Sequence, residues 1–256
     1  EIQLQEGITS ISDFVNCANL TSISIPSSIA SIKNDAFTSC NNLVYETYDK
    51  CKYLGNDNNK YQVVMGPCEK TITTTSLHEN CTVIKDAAFN VSQLASIVIP
   101  NGILSIPMNA FHGTKLTSVT IPNSVTSIGE FAFESCVYLK SVYIDISSNL
   151  ENIEMYAFYS CTALETVVIP PSVKNIDKKA FGNVTSLQEV DLSGFDTLDY
   201  EDLPILGEDA FSKYPSSVSF YVKDEQMRAL FIMDDVHGWD QINDDLFKVK
   251  PPVNNL

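Results

Sequence analysis

A unit of 23 residues governs this chain: residues 116–136 read LTSVTIPNSVTSIGEFAFESC, and the next copy begins at Leu139. The shared template is L-x-x-[IV]-x-I-P-x-S-[IV]-x-x-I-x-x-x-A-F-x-x-C. A fixed period in the low twenties specifies a solenoid, in which each turn of chain packs only on its neighbours. Such a body displays a long surface and rarely builds a pocket, so the repeat argues fold strongly and function only by class.

The copies can be laid down residue by residue. Leu20, Ile23, Ile25, Pro26, Ile29, Ile32, Ala36, Phe37 and Cys40 fill the template without a gap. Copies from Leu94 and Leu164 do the same, with Thr114 and Val184 in the cysteine slot. A weaker copy around Leu77, Ile84, Ala88 and Phe89 has His78 in place of proline. The copy from Leu139 gains two residues around 145–149, and the one from Leu187 gains about seven in an acidic loop over 194–208. Allowing for a shortened half-turn at Ile8, Ile11, Phe14 and Cys17, roughly eight coils are present. At a parallel-strand spacing of ~4.8 Å they predict a body of roughly 35–40 Å.

The slots have physical reasons. The two aliphatics of [IV]-x-I lie two apart, the period of a strand with one buried face. Proline fixes its own φ and donates nothing to a ladder, so Pro26, Pro100, Pro122 and Pro170 end each strand. The following [IV]-x-x-I pair suits a second short extended segment. Ala-Phe sets a small residue beside a ring that fills the coil centre. The cysteine slot accepts Cys, Thr or Val, so small volume is its common property.

Two segments leave the frame. Over about 48–71, the runs at 53–54 and 61–65 flank the polar stretch 56–60 and predict a β-hairpin. After Phe211 a strand over 218–222 and a helix from Asp224 to about 234 are expected, with Asp224 as the helix cap. A solenoid needs its open end covered, and residues 212–256, which hold the single tryptophan Trp239, are the natural lid. The expected organisation is one domain over 1–256: a partial coil at 1–19, repeats over 20–211 and the cap.

Charge narrows the partners. The net charge is −16, and residues 189–245 hold 15 of the 32 acids against three bases. Nucleic-acid binding is built on clustered Lys and Arg, so DNA and RNA are not expected. The acid excess reads as solubility for a β-rich body with exposed strand edges. No apolar run approaches the length that crosses a membrane.

The template L-x-x-[IV]-x-I-P-x-S-V-x-x-I-x-x-x-A-F-x-x-C resembles the BspA-like leucine-rich repeat, as do the accessory segments around Tyr53-Leu54-Gly55-Asn56 and Phe220-Tyr221-Val222-Lys223. The resemblance covers nearly the whole chain. It implies an α/β leucine-rich-repeat solenoid: a right-handed coil of short parallel strands with few short helical turns, a β-hairpin insertion and a C-terminal cap. It also implies a non-catalytic cell-surface or secreted protein of the kind found in gut and oral bacteria and some protozoa. Family members are described as adhesins for host or microbial macromolecules, so the implied partner is an extracellular protein or glycan. The alternative is a structural spacer holding another domain away from the cell; a carbohydrate-active enzyme or glycan-binding module is more remote. A monomer is expected. The family supplies no catalytic motif to carry over.

Chemistry-bearing residues are sparse. Cys17, Cys40, Cys136 and Cys161 occupy the small-residue slot and Cys81 an aliphatic one, which reads as buried thiols. No C-x-x-C pair marks zinc, and no metal or cofactor is expected. Cys51 and Cys68 flank the hairpin and are the candidate disulfide, subject to register. His78, His112 and His237 fall in unrelated slots, and a packed core offers no cleft to join them. Asp196, Asp199, Glu201, Asp202, Glu208 and Asp209 crowd the acidic loop without the order of a calcium loop. There remains the outward face of the strands. Its central column is predicted to run through Val98, Thr120, Tyr143, Val168 and Asp191, beside a polar column ending in Glu189. Tyr143 and Val168 are its apolar spots, and exposed aromatics are enriched among interface anchors.

Overall fold

The computed structural model describes residues 1–196, 202–233 and 236–251. Each coil contributes one short strand to each of two parallel sheets. The first sheet stacks Ser118–Ile121, Ser141–Ile144, Thr166–Val168, Glu189–Asp191, Ser219–Val222 and Phe247–Val249. Its inward aliphatics (Val119, Ile121, Val142, Ile144, Val167) are buried, and each strand stops at the proline slot or its equivalent. The second sheet stacks Ser105–Ile106, Ser127–Ile128, Asn152–Ile153, Asn175–Ile176 and Ile205–Leu206. Pairs at Ile2–Gln3 with Ile23–Ser24 and Ser10–Ile11 with Ser31–Ile32 repeat the two sheets near the N-terminus.

The third side of the coil is laddered too, although it forms strands only where Phe181–Gly182 pairs with Phe211–Ser212. The N–H groups of Phe131, Phe133 and Ser135 donate to the carbonyls of Met155, Ala157 and Tyr159 on the next coil. Those of Ala132, Glu134 and Cys136 fold back on Gly129, Phe131 and Phe133. Every amide of this segment is thereby satisfied, as a buried turn requires. From Ala88 onward the arrangement needs left-handed backbone before each Ala-Phe pair. Ala87, Asn109, Phe131, Tyr156, Lys179 and Asp209 all hold φ between 53° and 58° there. For residues with a Cβ this costs about 1–2 kcal/mol each, which the inter-coil hydrogen bonds oppose.

The Ala-Phe pair makes the spine of the core. Phe89, Phe111, Phe133, Phe158, Phe181 and Phe211 stack in one column, with centroids 5.0–5.4 Å apart and planes within 15°. This regular offset stack follows from translating one ring by one coil. The apolar interior falls into two clusters, a long one from Cys51 to Phe247 and a short one made of Ile11 through Leu43 with Leu54, Val63 and Val83. The division lies at the hairpin.

That hairpin forms, with one strand more than expected. Glu46–Tyr48 pairs antiparallel with Cys51–Leu54, which pairs antiparallel with Val63–Pro67, and the last of these runs parallel to Val83–Ile84. The Cys51–Cys68 bridge is corrected by the register. Cys51 sits opposite Pro67, so Cys68 is one residue out of step, and a one-residue offset turns a side chain to the other face. Cys51 is accordingly buried with its Sγ 3.3 Å from Thr75 Oγ1, Cys68 is exposed, and both are free thiols. Burial pushes the Cys51 thiol up to about 11 and the Cys81 thiol up to about 12.

Among the described residues, α-helix is confined to the C-terminal segment. Helix Glu225–Ile232 is capped by the Asp224 carboxylate, which accepts from the Gln226 and Met227 amides. The fully buried Trp239 donates its Nε1–H to the Pro204 carbonyl at 2.8 Å and packs near Phe231 and Phe211. The last ring of the phenylalanine column is thus covered. A closing strand, Phe247–Val249, lies parallel to Ser219–Val222, an element that the sequence pattern did not reveal.

Candidate binding surface

The first sheet aligns the outward residues in register. Thr120 pairs with Tyr143 and Val168 with Asp191, while Ser141 opposite Thr166 sets the intervening pair of strands. Val98 lies opposite Ser76 at the N-terminal end of this run. Tyr143 is 59% exposed and Val98 60%, Thr120 is exposed, and Val168 is half-buried. Thr120, Tyr143 and Val168 thus follow one another across three paired strands, while Val98 belongs to the separate pair with Thr74–Ser76.

It changes character at the next coil. Asp191, expected as an outward ligand-facing residue, is instead buried. Its carboxylate accepts from Lys250 Nζ and from the Ser193 amide. Burial raises its pKa, but the Lys250 ammonium and the Ser193 donors outweigh that and hold the carboxyl below its usual range. Glu189 is half-buried between Thr166 and Ser219. The cap's last strand closes the face here, because Lys248 lies opposite Tyr221 and Tyr221 opposite Asp191.

A shallow groove of about 750 Å³ runs over Thr120, Tyr143 and Val168. Its wall is the loop that replaces the proline turn after Ile144. Asp145 accepts from the Ser147 amide at 2.8 Å and the Ser147 hydroxyl at 2.6 Å, an Asx turn that throws the two extra residues outward. Those hydrogen bonds also hold the Asp145 carboxyl below its usual range. Asn149 fixes the loop to the neighbouring coil by donating Nδ2–H to the Asn123 carbonyl at 2.9 Å. Ile146 leans over Gly194, where an added Cβ would meet Ile146 Cδ1 at 2.7 Å. Asn101 and Asn123, each directly after a strand-ending proline, complete the wall.

The amides Asn101, Asn123 and Asn149 and the acid Asp145 were absent from the sequence-derived site. Two signals pointed there: the two-residue gain at 145–149 and the repeated Pro-Asn pair. A second aromatic group, also unanticipated, lies at the hairpin, where His78 stacks on Tyr61 at 4.1 Å and meets Tyr48 edge-on at 4.7 Å. His78 Nδ1 accepts from the Asn80 amide, so the ring is held as part of the turn.

The other candidate chemistry resolves into structure. His112 bridges Asn90 at 3.0 Å and Glu134 at 3.5 Å across three coils. In the acidic loop Asp196 pairs with Lys223, Glu208 with Lys178 and Asp209 with Lys179. Asp199 and Glu201 lie outside the described residues. Among the described residues no three His, Cys, Asp or Glu side chains gather as a metal site. No helix of the described residues is long and apolar enough to cross a membrane.

The family profile described as a BspA type leucine rich repeat region matches the chain in six copies, over residues 1–58 and 82–226. Among solved structures the chain is similar to a leucine rich repeat protein of T. pallidum (TpLRR), at 22% identity and a TM-score of 0.49, covering 86% of this chain and 87% of that one. It is also similar to the pneumococcal vaccine antigen PcpA, at 17% identity and a TM-score of 0.47, covering 88% and 56%. A leucine rich cell surface protein from Faecalibacterium prausnitzii is similar at 21% identity and a TM-score of 0.42, covering 90% and 62%. No curated protein sequence matches the chain.

Proposed function

Because the chain belongs to the BspA-type leucine-rich repeat family, we propose that it is a non-catalytic binding module of a cell-surface or secreted protein, acting as an adhesin for an extracellular macromolecule. The observation that carries this is the groove over Thr120, Tyr143 and Val168, where an exposed aromatic stands in a rigid, hydrogen-bonded ladder. Rigid presentation matters energetically, since a contact that is already ordered loses little side-chain entropy on binding. A flat array repeated from coil to coil suits a long partner better than a small metabolite. The groove contains a single carboxylate, Asp145, so paired acid–base hydrolysis has no second partner there.

The test is a binding screen of the isolated chain against extracellular matrix proteins and glycans, read by biolayer interferometry. Saturable binding that Tyr143→Ala weakens, with an unchanged melting temperature, supports the proposal. Tyr143 is largely exposed, so its removal should cost little stability. Uniformly absent binding would instead favour the spacer. Binding abolished by deleting 196–208 and untouched by Tyr143→Ala would place the site in the acidic loop.

A further inference from the structure

Taking the binding-module reading as its premise, we infer that the groove takes an extended neutral glycan lying along the solenoid axis, one sugar unit per coil. Four features of the surface point to this ligand class.

The first is the repeat distance. Successive coils are ~4.8 Å apart along the ladder, close to the length of one pyranose unit in an extended chain. Equivalent contacts therefore recur at the step at which a linear polysaccharide repeats itself. A peptide strand has a shorter residue step and seeks a free sheet edge, but here Ser141–Ile144 and Thr166–Val168 bond to neighbours on both sides, and the outer flank of Ser118–Ile121 is packed against Ser96–Val98 of the preceding coil.

The second is the mixture of groups. Tyr143 offers an exposed ring, the kind of face on which the C–H side of a pyranose packs. The side-chain amides of Asn101 and Asn123 and the Tyr143 and Thr120 hydroxyls make no hydrogen bond within the described residues. Each amide presents a donor and an acceptor at the spacing of vicinal hydroxyls.

The third is depth. Thr120, Tyr143 and Val168 form a strip one residue wide, flanked on one side by the serine and threonine column and on the other by asparagines. The groove is open rather than enclosed, so it offers no closed pocket around a leucine or tryptophan anchor of a protein partner, the feature that concentrates affinity in protein interfaces. Shallow, hydroxyl-rich and repetitive contacts suit a ligand that is itself shallow, hydroxyl-rich and repetitive.

The fourth is charge. No Lys, Arg or His lines the groove, and Asp145 carries the one formal charge. On a chain of net charge −16 this disfavours sulfated or carboxylated glycans. A neutral ligand also predicts that binding ignores salt, because nothing is screened.

The probes are neutral β-1,4-linked oligosaccharides of one to six units (glucose, mannose, xylose and N-acetylglucosamine series), titrated calorimetrically into the intact chain. The expected result is saturable binding to at least one series, strengthening with length up to about four units, the coils spanned from Asn101 to Val168. Tyr143→Ala and Asn123→Ala should each weaken it by about ten-fold or more, and raising salt from low to high should leave it unchanged. Tyr143-dependent binding to a matrix protein without binding to any neutral series would overturn the glycan assignment and leave the binding-module proposal standing. Binding to acidic glycans alone, or binding that collapses with salt, would overturn it as well. Saturable binding to neither proteins nor glycans would remove both proposals.

Discussion

The phenylalanine column makes a quantitative prediction at Phe133. This ring is fully buried and stacked on both faces, by Phe111 at 5.2 Å and Phe158 at 5.1 Å. Truncation to alanine removes the ring from a close-packed interior that cannot collapse, since neighbouring coils are pinned by three hydrogen-bonded ladders. Such substitutions cost about 3–5 kcal/mol, and two stacked pairs, worth about 0.5–1.5 kcal/mol each, put this site at the upper end. Phe14 is the control: it stacks on Phe37 alone, at 5.6 Å, and is half-buried. Phe14→Ala should cost about 1–2 kcal/mol, on half the burial and one pair. Phe133→Leu keeps most of the apolar volume but loses the stacking, so it should fall between the two. Urea unfolding followed by circular dichroism measures all three. Because each coil touches only its neighbours, Phe133→Ala should also split the transition and lower its slope, as the two halves uncouple. Equal losses for Phe133→Ala and Phe14→Ala, or one unbroken transition with a loss under about 1 kcal/mol, would refute the column as the spine of the fold.

Three further outcomes follow from particular contacts. Lys250→Met leaves the buried Asp191 carboxylate without its cation and should cost about 1–2 kcal/mol at pH 7, discounted for the partly exposed ammonium. Because the folded-state pKa of Asp191 is lowered, its contribution is full above the ordinary carboxylate range and drains away as pH falls through the folded value. Thermal melts of the variant and the parent should therefore draw together as pH falls below the ordinary carboxylate range, and a constant gap would refute the pairing. In thiol labelling at neutral pH, Cys68 should react at once while Cys51 and Cys81 react only on unfolding. All seven thiols should alkylate in denaturant without reductant, and a loss of two would establish a bridge. Trp239→Phe removes the donor to Pro204 and should destabilise the cap by about 1–2 kcal/mol, read from circular-dichroism melts of the variant against the parent.

How much of this was legible depends on how local each cause is. The strand at Ser118–Ile121, its proline stop and the inward ring of Phe133 each follow from a few adjacent residues, and the 23-residue period repeats the message many times. The Asp224 cap and the hairpin were equally local. The left-handed turns were hidden because they carry no glycine signature: Phe131, Tyr156 and Lys179 hold that conformation through hydrogen bonds to a neighbouring coil, which no single-coil pattern encodes. Asp191 was misplaced for a related reason, since the lysine that claims it lies 59 residues downstream. The groove wall showed in the sequence as a two-residue excess and a repeated Pro-Asn pair, and the outward direction of the excess depends on the Asp145 turn. Register likewise decided Cys51 and Cys68.

The split of the interior into two apolar clusters at the hairpin gives the chain a mechanical grain. When such a chain is pulled from its ends, a stack held only by nearest neighbours peels coil by coil from its weaker end. The short cluster around Ile11 to Leu43, with its single Phe14–Phe37 stack, should let go first, while the long phenylalanine column and the Trp239 lid still hold. Each 23-residue coil that opens releases roughly 80 Å of chain. The N-terminal coils would then act as a sacrificial spring, lengthening under load while the groove at Tyr143 keeps its shape.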